Sequence, residues 1–177
     1  MKLLGISGSL RKGSLNRKLM HQAIRLFGDA KVTIADLNLP LYDGDLEEEQ
    51  GIPDSVTLLA NQIAAADAVI VSCPEYNQGI SGVMKNALDW VSRTDGSPWA
   101  NKPVALLAAA AGRAGGARSN YALRLAMAPF NTNLLQGPEI LVAGAHNEFD
   151  ENDQLTSEFY TKSLTKLMTE LREISKS

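Results

Sequence analysis

The stretch "KLLGISGSLRKGSLNRKL", residues 2–19, combines a strand pattern, a polar loop and a helix pattern. Lys2–Ser7 is a nearly continuous apolar run, which is typical of a strand buried on both faces of a sheet. From Leu15, apolar residues recur at Leu19 and Ala23 with the i, i+4 spacing of an amphipathic helix. The stretch therefore predicts a β-strand that leads through a polar loop into an α-helix.

Strand and helix patterns alternate through the rest of the chain. Further strands are predicted at Lys31–Asp36, Ala68–Cys73 and Pro103–Ala110, and within Asn133–Ala143. Helices are predicted from an N-cap at Asp54 to Ala66, and at Ser81–Ser92, Arg118–Met127 and Thr156–Ser175. The long segment Leu37–Pro53 is predicted to be an acidic loop.

This alternation with short connections favours parallel strand pairing through right-handed crossovers. We expect residues 1–177 to form a single α/β domain, a flavodoxin-like three-layer sandwich with a five-stranded parallel sheet of order 2-1-3-4-5. In that architecture, ligands bind beyond the carboxyl ends of the strands, where the strand order reverses. The functional site is therefore expected in the loops that follow Ser7, Cys73 and Ala110.

The composition is ordinary for a soluble globular protein, with 45% hydrophobic and 21% charged residues. A net charge of −3 argues against a nucleic-acid partner. No run reaches the ~18 apolar residues of a membrane span. The single cysteine, Cys73, excludes an intrachain disulfide and favours a cytoplasmic protein. The acidic run Asp43–Glu49 lacks the ligand spacing of a cation site, so we expect no metal there.

The loop after the first predicted strand has the residues that an anion site needs. A helix N-terminus presents free N–H groups and a positive dipole end, and glycines at Gly8 and Gly13 let the backbone approach a ligand closely. Neutral donors and a guanidinium fork suited to phosphate oxygens lie in the same loop: Ser9, Arg11, Ser14 and Asn16. The loop fits one terminal phosphate, although an ordinary strand-to-helix turn with serine caps would also have these hydroxyls.

Three better-known loops do not match. A Walker loop would need Lys followed by Ser or Thr where Ser14 and Leu15 stand. The glycines do not have the G-x-G-x-x-G spacing of a dinucleotide fingerprint. A nucleophile elbow around Ser7 would need glycine in place of Ser9.

The loops after the third and fourth predicted strands could hold a flat ring. Tyr76 offers an aromatic face, and Glu75 would accept a hydrogen bond either from a ring N–H or from a helix N-terminus. The small residues of Ala111–Ala117 would let a ring lie against the main chain, although a loose glycine turn would have the same composition. Lys85, Asn86 and Asp89 are interpreted as a brace behind the 74–79 loop, and Trp90 as core.

Taken together, "GSLRKGSLN" (8–16), "PEYN" (74–77), "KNALDW" (85–90) and "GGAR" (115–118) resemble the NADPH-dependent FMN reductases of the flavodoxin-like superfamily, close to bacterial quinone and chromate reductases. The resemblance implies that the FMN phosphate is held by Ser9, Arg11, Ser14, the main chain of Leu15, and Asn16. It assigns the isoalloxazine and ribityl groups to Glu75, Tyr76, Asn77 and Gln78, with Ala110 and Gly112 on the other side of the ring. Many relatives have serines in this turn after the fourth predicted strand, whereas this chain has "AAAAG" (108–112).

The same resemblance implies a reaction. NADPH or NADH would reduce bound FMN, which would then reduce a quinone, azo dye, chromate or free flavin in a ping-pong cycle, with no catalytic side chain. It also implies a homodimer or homotetramer, with contacts in Leu37–Pro53 and Arg113–Tyr121. Two alternatives remain open at this point: a flavodoxin-like electron carrier and a cysteine enzyme built on Cys73.

Overall fold

A parallel β-sheet lies between two layers of helices in the computed structural model, which describes residues 1–176. The strands are β1 (Lys2–Ser7), β2 (Lys31–Ile34), β3 (Ala68–Ser72), β4 (Glu75–Tyr76), β5 (Gly79–Ile80), β6 (Pro103–Ala109), β7 (Asn133–Leu134) and β8 (Ile140–Val142). The helices are α1 (Leu15–Phe27), α2 (Gly44–Gln50), α3 (Asp54–Ala65), α4 (Gly82–Val91), α5 (Ala117–Met127) and α6 (Glu158–Ile174). Short 3₁₀ turns lie at Ala128–Phe130 and Ala145–Asn147.

The sheet has the expected flavodoxin-like winding, with β1 between β2 and β3 and with β6 beyond β3. The fifth position differs from the prediction, because two short strands occupy it and the sheet has six strands. β7 pairs with the start of β6 and β8 with its end. Pro138 lies in the segment between them and has no N–H to donate to a ladder, so one continuous strand cannot form there.

Alternating strand residues build a separate core on each face of the sheet. On one face, Leu3 of β1 belongs to a cluster with residues of α1 and α6, including Leu19 and Met168. On the other face, Leu4 belongs to a cluster with residues of α3, α4 and α5, including Ile63. The strands β1, β3 and β6 are therefore buried on both sides, as their continuous apolar runs predict, whereas the edge strand β2 is largely exposed. Within residues 1–176, no helix is long and apolar enough to cross a membrane.

The segment predicted as an acidic loop contains a helix, so that prediction is wrong for residues 44–50. The Asp43 side chain caps α2 by accepting a hydrogen bond from the N–H of Asp45, and acidic residues in the first turn suit the positive end of the helix. None of the residues of α2 is buried. Glu47 instead accepts hydrogen bonds from Arg93 and from the Tyr42 hydroxyl, and the bond from Arg93 lowers the pKa of Glu47.

The start of α3 also differs slightly from the prediction. Asp54 is the first helical residue rather than the cap, which is Pro53 and makes no side-chain hydrogen bond. Proline suits this position because its fixed φ fits a helix start and its missing N–H leaves no donor unpaired.

The turn that leads into α5 depends on two glycines with left-handed backbone angles. Gly115 has φ +59, and a β-carbon there would clash with the carbonyl oxygen of Leu141. Gly116 has φ +87, and a β-carbon there would lie 2.9 Å from the side chain of Ala108. The turn is therefore packed directly against β6 and β8.

Replacing Gly115 with alanine separates this packing constraint from backbone strain alone. Gly96 also has a positive φ, +83, but its missing β-carbon would meet nothing within 4 Å. We expect Gly96→Ala to lower the free energy of unfolding by about 1–2 kcal/mol, and Gly115→Ala to lower it by about 1–3 kcal/mol more. Urea unfolding of both variants measures the difference, and equal losses would contradict the close contact with Leu141.

Candidate functional site

Three loops meet at the carboxyl ends of β1, β3 and β6 and enclose an open cleft of ≈ 350 Å³. The cleft is lined by Ser9, Arg11, Gly13, Ser14, Leu15, Asn16, Pro74, Glu75, Tyr76, Ala109, Ala110 and Ala111. All five residues predicted from the first loop are among them, together with Glu75, Tyr76 and Ala110. Asn77, Gln78 and Gly112 are outside the lining. The topology thus brings together most of the residues predicted to bind a cofactor.

The first loop presents unpaired donors to this cleft. Ser14 caps α1 by accepting a hydrogen bond from the N–H of Arg17, so its own hydroxyl hydrogen is left to donate. Within residues 1–176, the N–H groups of Leu15 and Asn16, in the first turn of α1, have no acceptor. Arg11, in the same loop, is exposed to solvent. This combination of helix N–H groups, a hydroxyl and a guanidinium fits an anion.

Asn16 has a contact that the sequence did not predict. Its side-chain Nδ2 donates to the carbonyl of Ala109 at 2.8 Å, and its Oδ1 accepts from the N–H of Ala109 and from the Ser72 hydroxyl, each at 3.0 Å. The residue is only 3% exposed. One Nδ2 hydrogen remains for a ligand. Asn16 therefore joins the start of α1 to the ends of β3 and β6, beside any contact that it makes to a phosphate.

The loop after β3 is a β-hairpin formed by β4 and β5, which we call the site hairpin (residues 75–80). Glu75 pairs with Ile80 and Tyr76 with Gly79. The turn residues Asn77 and Gln78 have φ of 49 and 64, so both are left-handed, as in a type I′ hairpin turn. This hairpin was not predicted, because strands of only two residues leave no alternating pattern in the sequence. Tyr76 lies half exposed beside the cleft.

Two contacts were predicted for Glu75, and the structure shows the one with a helix N-terminus. Its Oε2 accepts hydrogen bonds from the main-chain N–H groups of Arg118, at 3.0 Å, and Ser119, at 3.3 Å. The Ser119 hydroxyl donates to the carbonyl of Pro74 at 2.9 Å. These bonds connect the site hairpin to the first turn of α5.

The "KNALDW" residues hold a different segment from the one predicted. Asn86 donates to the carbonyl of Pro40 and accepts from the N–H of Tyr42, each at 2.9 Å. The Trp90 indole N–H also donates to the carbonyl of Pro40, at 2.8 Å, although Trp90 is buried as expected. Lys85 pairs with Asp89 on the surface of α4. Asn86 and Trp90 therefore anchor the segment before α2, and none of these bonds reaches the 74–79 loop.

A larger cavity, ≈ 580 Å³, lies away from the strand ends. It is enclosed by α4, the segment around Trp99 and the 3₁₀ turn after α5. None of the residues predicted to bind a cofactor lines it, so the smaller cleft is the candidate site.

Comparison with known proteins gives the family of this chain. The model of the NADPH-dependent FMN reductase family matches residues 1–147. The NAD(P)H-dependent FMN reductase of Pseudomonas aeruginosa is 42% identical over 157 residues, which cover 88% of this chain and 84% of the relative. The quinone reductase of Escherichia coli K12 is 36% identical over 175 residues, covering 93% and 92% of the two chains.

The chain belongs to the NADPH-dependent FMN reductase family. A solved structure agrees: the flavoenzyme FerB, an NAD(P)H:(acceptor) oxidoreductase of Paracoccus denitrificans, is 30% identical and superposes with a TM-score of 0.87, covering 99% of this chain and 97% of FerB. Membership confirms the prediction of an oxidoreductase that uses FMN and NAD(P)H. It also excludes the alternative that the protein is only an electron carrier.

The cleft of this FMN reductase family member has donors that fit the cofactor. The unpaired N–H groups of Leu15 and Asn16, with Arg11, are suited to a phosphate dianion. Tyr76 and Ala110, from the second and third loops, form another part of the cleft wall. Ala109, Ala110 and Ala111 bring no hydroxyl to that wall, so polar contacts there must come from the backbone.

Asn16→Ala tests whether the bracing contact matters in the protein without cofactor. The substitution leaves the N–H and carbonyl of Ala109 and the Ser72 hydroxyl without their buried partner. We expect the free energy of unfolding of the apoprotein to fall by about 2–4 kcal/mol in denaturant titrations. Asn61→Ala, on the exposed side of α3, is the control and should change it by less than about 0.5 kcal/mol. Unchanged stability with weakened FMN binding would mean that Asn16 serves the ligand alone.

Proposed function

We propose that this protein transfers two electrons from NADPH or NADH, through bound FMN, to a quinone or a similar small acceptor such as an azo dye, chromate or free flavin. The observation that carries the proposal is the cleft with unpaired N–H groups at the start of α1, in a chain that belongs to the FMN reductase family. The relatives named quinone reductase support a quinone as acceptor. FMN supplies the redox chemistry when bound, because it accepts and releases a hydride equivalent.

The chain's own residues bind and orient the cofactor. The phosphate is assigned to Ser9, Arg11, Ser14, the main chain of Leu15, and Asn16. The ring and ribityl chain are assigned to the site hairpin (Glu75, Tyr76, Asn77 and Gln78) and to the third loop (Ala110 and Gly112). Asn77 and Gln78 lie outside the cleft lining. Their contribution is therefore the turn that holds Tyr76 in place.

The reaction needs no side-chain acid or base in this proposal. Among the residues that line the cleft, only Arg11, Glu75 and Tyr76 have ionisable side chains, and Glu75 is already bonded to α5. The open cleft lets the donor and the acceptor use the same exposed face in turn, which predicts ping-pong kinetics. The role of the protein is positioning and main-chain hydrogen bonding.

A cysteine mechanism has no support in the geometry. Cys73 is buried, and its Sγ lies near the Ser81 and Ser119 hydroxyls and the carbonyl of Pro74, with no histidine among these contacts. Burial raises the pKa of the Cys73 thiol, so it stays protonated and unreactive near neutral pH. Its environment is that of a core residue behind the cleft.

The visible spectrum of the purified protein tests the proposal. With FMN bound we expect a yellow protein that NADPH or NADH bleaches under anaerobic conditions and that a quinone restores. Steady-state rates at several donor and acceptor concentrations should give parallel double-reciprocal lines, as a ping-pong cycle requires. Protein that binds no FMN, or that is bleached and never reoxidised by any of the named acceptors, would refute the proposed function.

Arg11→Ala tests the assignment of the phosphate. Arg11 is exposed, so its removal should not disturb the fold. We expect FMN affinity to fall by about 1.5–3 kcal/mol while riboflavin affinity, which involves no phosphate, stays unchanged. Lys31→Ala, which removes an exposed cation from the opposite end of the sheet, is the control. Equal losses for FMN and riboflavin would contradict a phosphate contact.

We also propose that one domain spanning residues 1–177 assembles as a homodimer or homotetramer and works in the cytoplasm. The support for assembly is a leucine surface beside the cleft, formed by Leu10, Leu39, Leu41 and Val83 above the buried Leu37. Leu10 is 49% exposed and Leu41 is 81% exposed. A second copy would remove this apolar area from water.

A single buried cysteine without a disulfide partner suits a reducing compartment.

Light scattering at micromolar concentration tests the assembly. We expect a dimer or tetramer mass for the wild type and a smaller mass for Leu41→Asp. Leu58→Asp, which changes a leucine that is 58% exposed on α3, is the matched control and should keep the wild-type mass. A monomeric wild type would contradict the proposed assembly without touching the proposed reaction.

A further inference from the structure

Helix α5 begins without a cap from its own sequence. Gly116 occupies the N-cap position and makes no side-chain hydrogen bond. The N–H of Ala117 donates to the carbonyl of Ala114, but the following two, those of Arg118 and Ser119, would have no acceptor within the helix. Both donate instead to Oε2 of Glu75, which is 43 and 44 residues earlier in the sequence. The Glu75 side chain, from the site hairpin, therefore caps α5.

Two further contacts join the loop after β3 to the start of α5. The Ser119 hydroxyl, fully buried, donates to the carbonyl of Pro74 at 2.9 Å. The Arg118 guanidinium approaches Oε1 of Glu75 at 3.7 Å, but Arg118 is exposed, so this ion pair is weak. The main-chain bonds are the ones that fix geometry. They also place the carboxylate at the positive end of a helix, where its charge is favourable.

The other side of the α5 start is held just as closely. Gly115 and Gly116 pack against Leu141 and Ala108 so tightly that neither has room for a β-carbon. The start of α5 is thus fixed to the sheet through β6 and β8, and the site hairpin is fixed to the start of α5 through Glu75. A hairpin with strands of two residues has little stability of its own, so this external attachment decides where it lies.

We propose that Glu75 is a positioning residue that sets the width of the ring-binding part of the cleft by capping α5 and so locking the site hairpin to the third loop. The inference rests on the proposed function, because it assigns the flavin ring to the space between Tyr76 and Ala110–Ala111, all of which line the cleft. Glu75 acts through the main chain of α5 and not through its charge alone.

Amide hydrogen exchange of the apoprotein measures the cap directly. In Glu75→Ala, the amides at positions 118 and 119 should exchange roughly 3- to 30-fold faster, the range that corresponds to the loss of a helix cap. Glu75→Gln should restore most of the protection, since one carboxamide oxygen can accept both N–H groups as Oε2 does. Arg118→Ala removes only the exposed ion pair and should leave the exchange unchanged.

Flavin binding measures the consequence for the site. Because the ring side is loosened, Glu75→Ala should weaken FMN and riboflavin by the same factor, in contrast to the FMN-specific loss expected for Arg11→Ala. At saturating FMN, the absorption bands of the bound flavin should shift in Glu75→Ala and remain as in the wild type in Glu75→Gln and Arg118→Ala. If Glu75→Ala does not fold, Glu75→Asp replaces it. Aspartate keeps the charge, but its side chain is too short to reach the N–H groups of Arg118 and Ser119. The variant should therefore show the same faster exchange and weaker flavin binding.

The two proposals fail in different ways. Wild-type protein that binds FMN, together with unchanged exchange at positions 118 and 119 or unchanged riboflavin affinity in Glu75→Ala, would overturn the role of Glu75 and leave the proposed function standing. Wild-type protein that binds no flavin would overturn the proposed function and the effect on ring binding with it. The exchange experiment on the apoprotein would still decide whether Glu75 caps α5.

Discussion

The buried amide of Asn16 is the interaction on which the site depends most. It pairs with both the N–H and the carbonyl of Ala109, in the way that a neighbouring strand would, and it accepts from Ser72 as well. Main-chain polar groups at the end of a strand need partners once they are removed from water. Asn16 satisfies them and at the same time fixes the start of α1 relative to β3 and β6. The unpaired N–H groups of that helix are consequently held at the point where the strand order reverses.

The three loops of the cleft are joined by polar contacts rather than by apolar packing. Ser81 donates to the carbonyl of Gly8 at 2.6 Å, which links the first loop to the start of α4. Glu75 and Ser119 link the second loop to the third. Such bonds have defined lengths and directions, so they specify positions more sharply than the apolar cores beneath them. These bonds therefore fix the positions of the three loops relative to one another.

The sequence predicted the parts of the fold that rest on local pattern. The buried strands around Leu3 and Ile70 and the stripe that begins at Leu15 have strong periodicity, and the winding order followed from their alternation. The fifth strand was predicted within Asn133–Ala143 without allowing for Pro138, which prevents a continuous ladder there. Helix α2 was missed because it buries no residue and therefore has no apolar stripe to detect.

The residues of the site were predictable where a motif is continuous in sequence, and less so where a role depends on distant partners. The resemblance placed Ser9, Arg11 and Ser14 in one loop, and the structure brings them to the cleft. The bracing contact of Asn16 spans 93 positions and the cap from Glu75 spans more than 40, so neither leaves a local signal. The anchoring of Pro40 by Asn86 and Trp90 is of the same kind.

The attachment of α2 has a consequence for how the molecule moves. The helix has no share in either core and is retained by the Arg93–Glu47 pair, the Tyr42–Glu47 bond and the edge-on packing of Tyr42 against Trp90. Detaching it would expose hardly any apolar surface, so its opening should be a local event of low free energy, independent of global unfolding. The leucine surface borders the same segment. The segment around α2 should therefore rearrange without disturbing the polar contacts that join the three loops of the cleft.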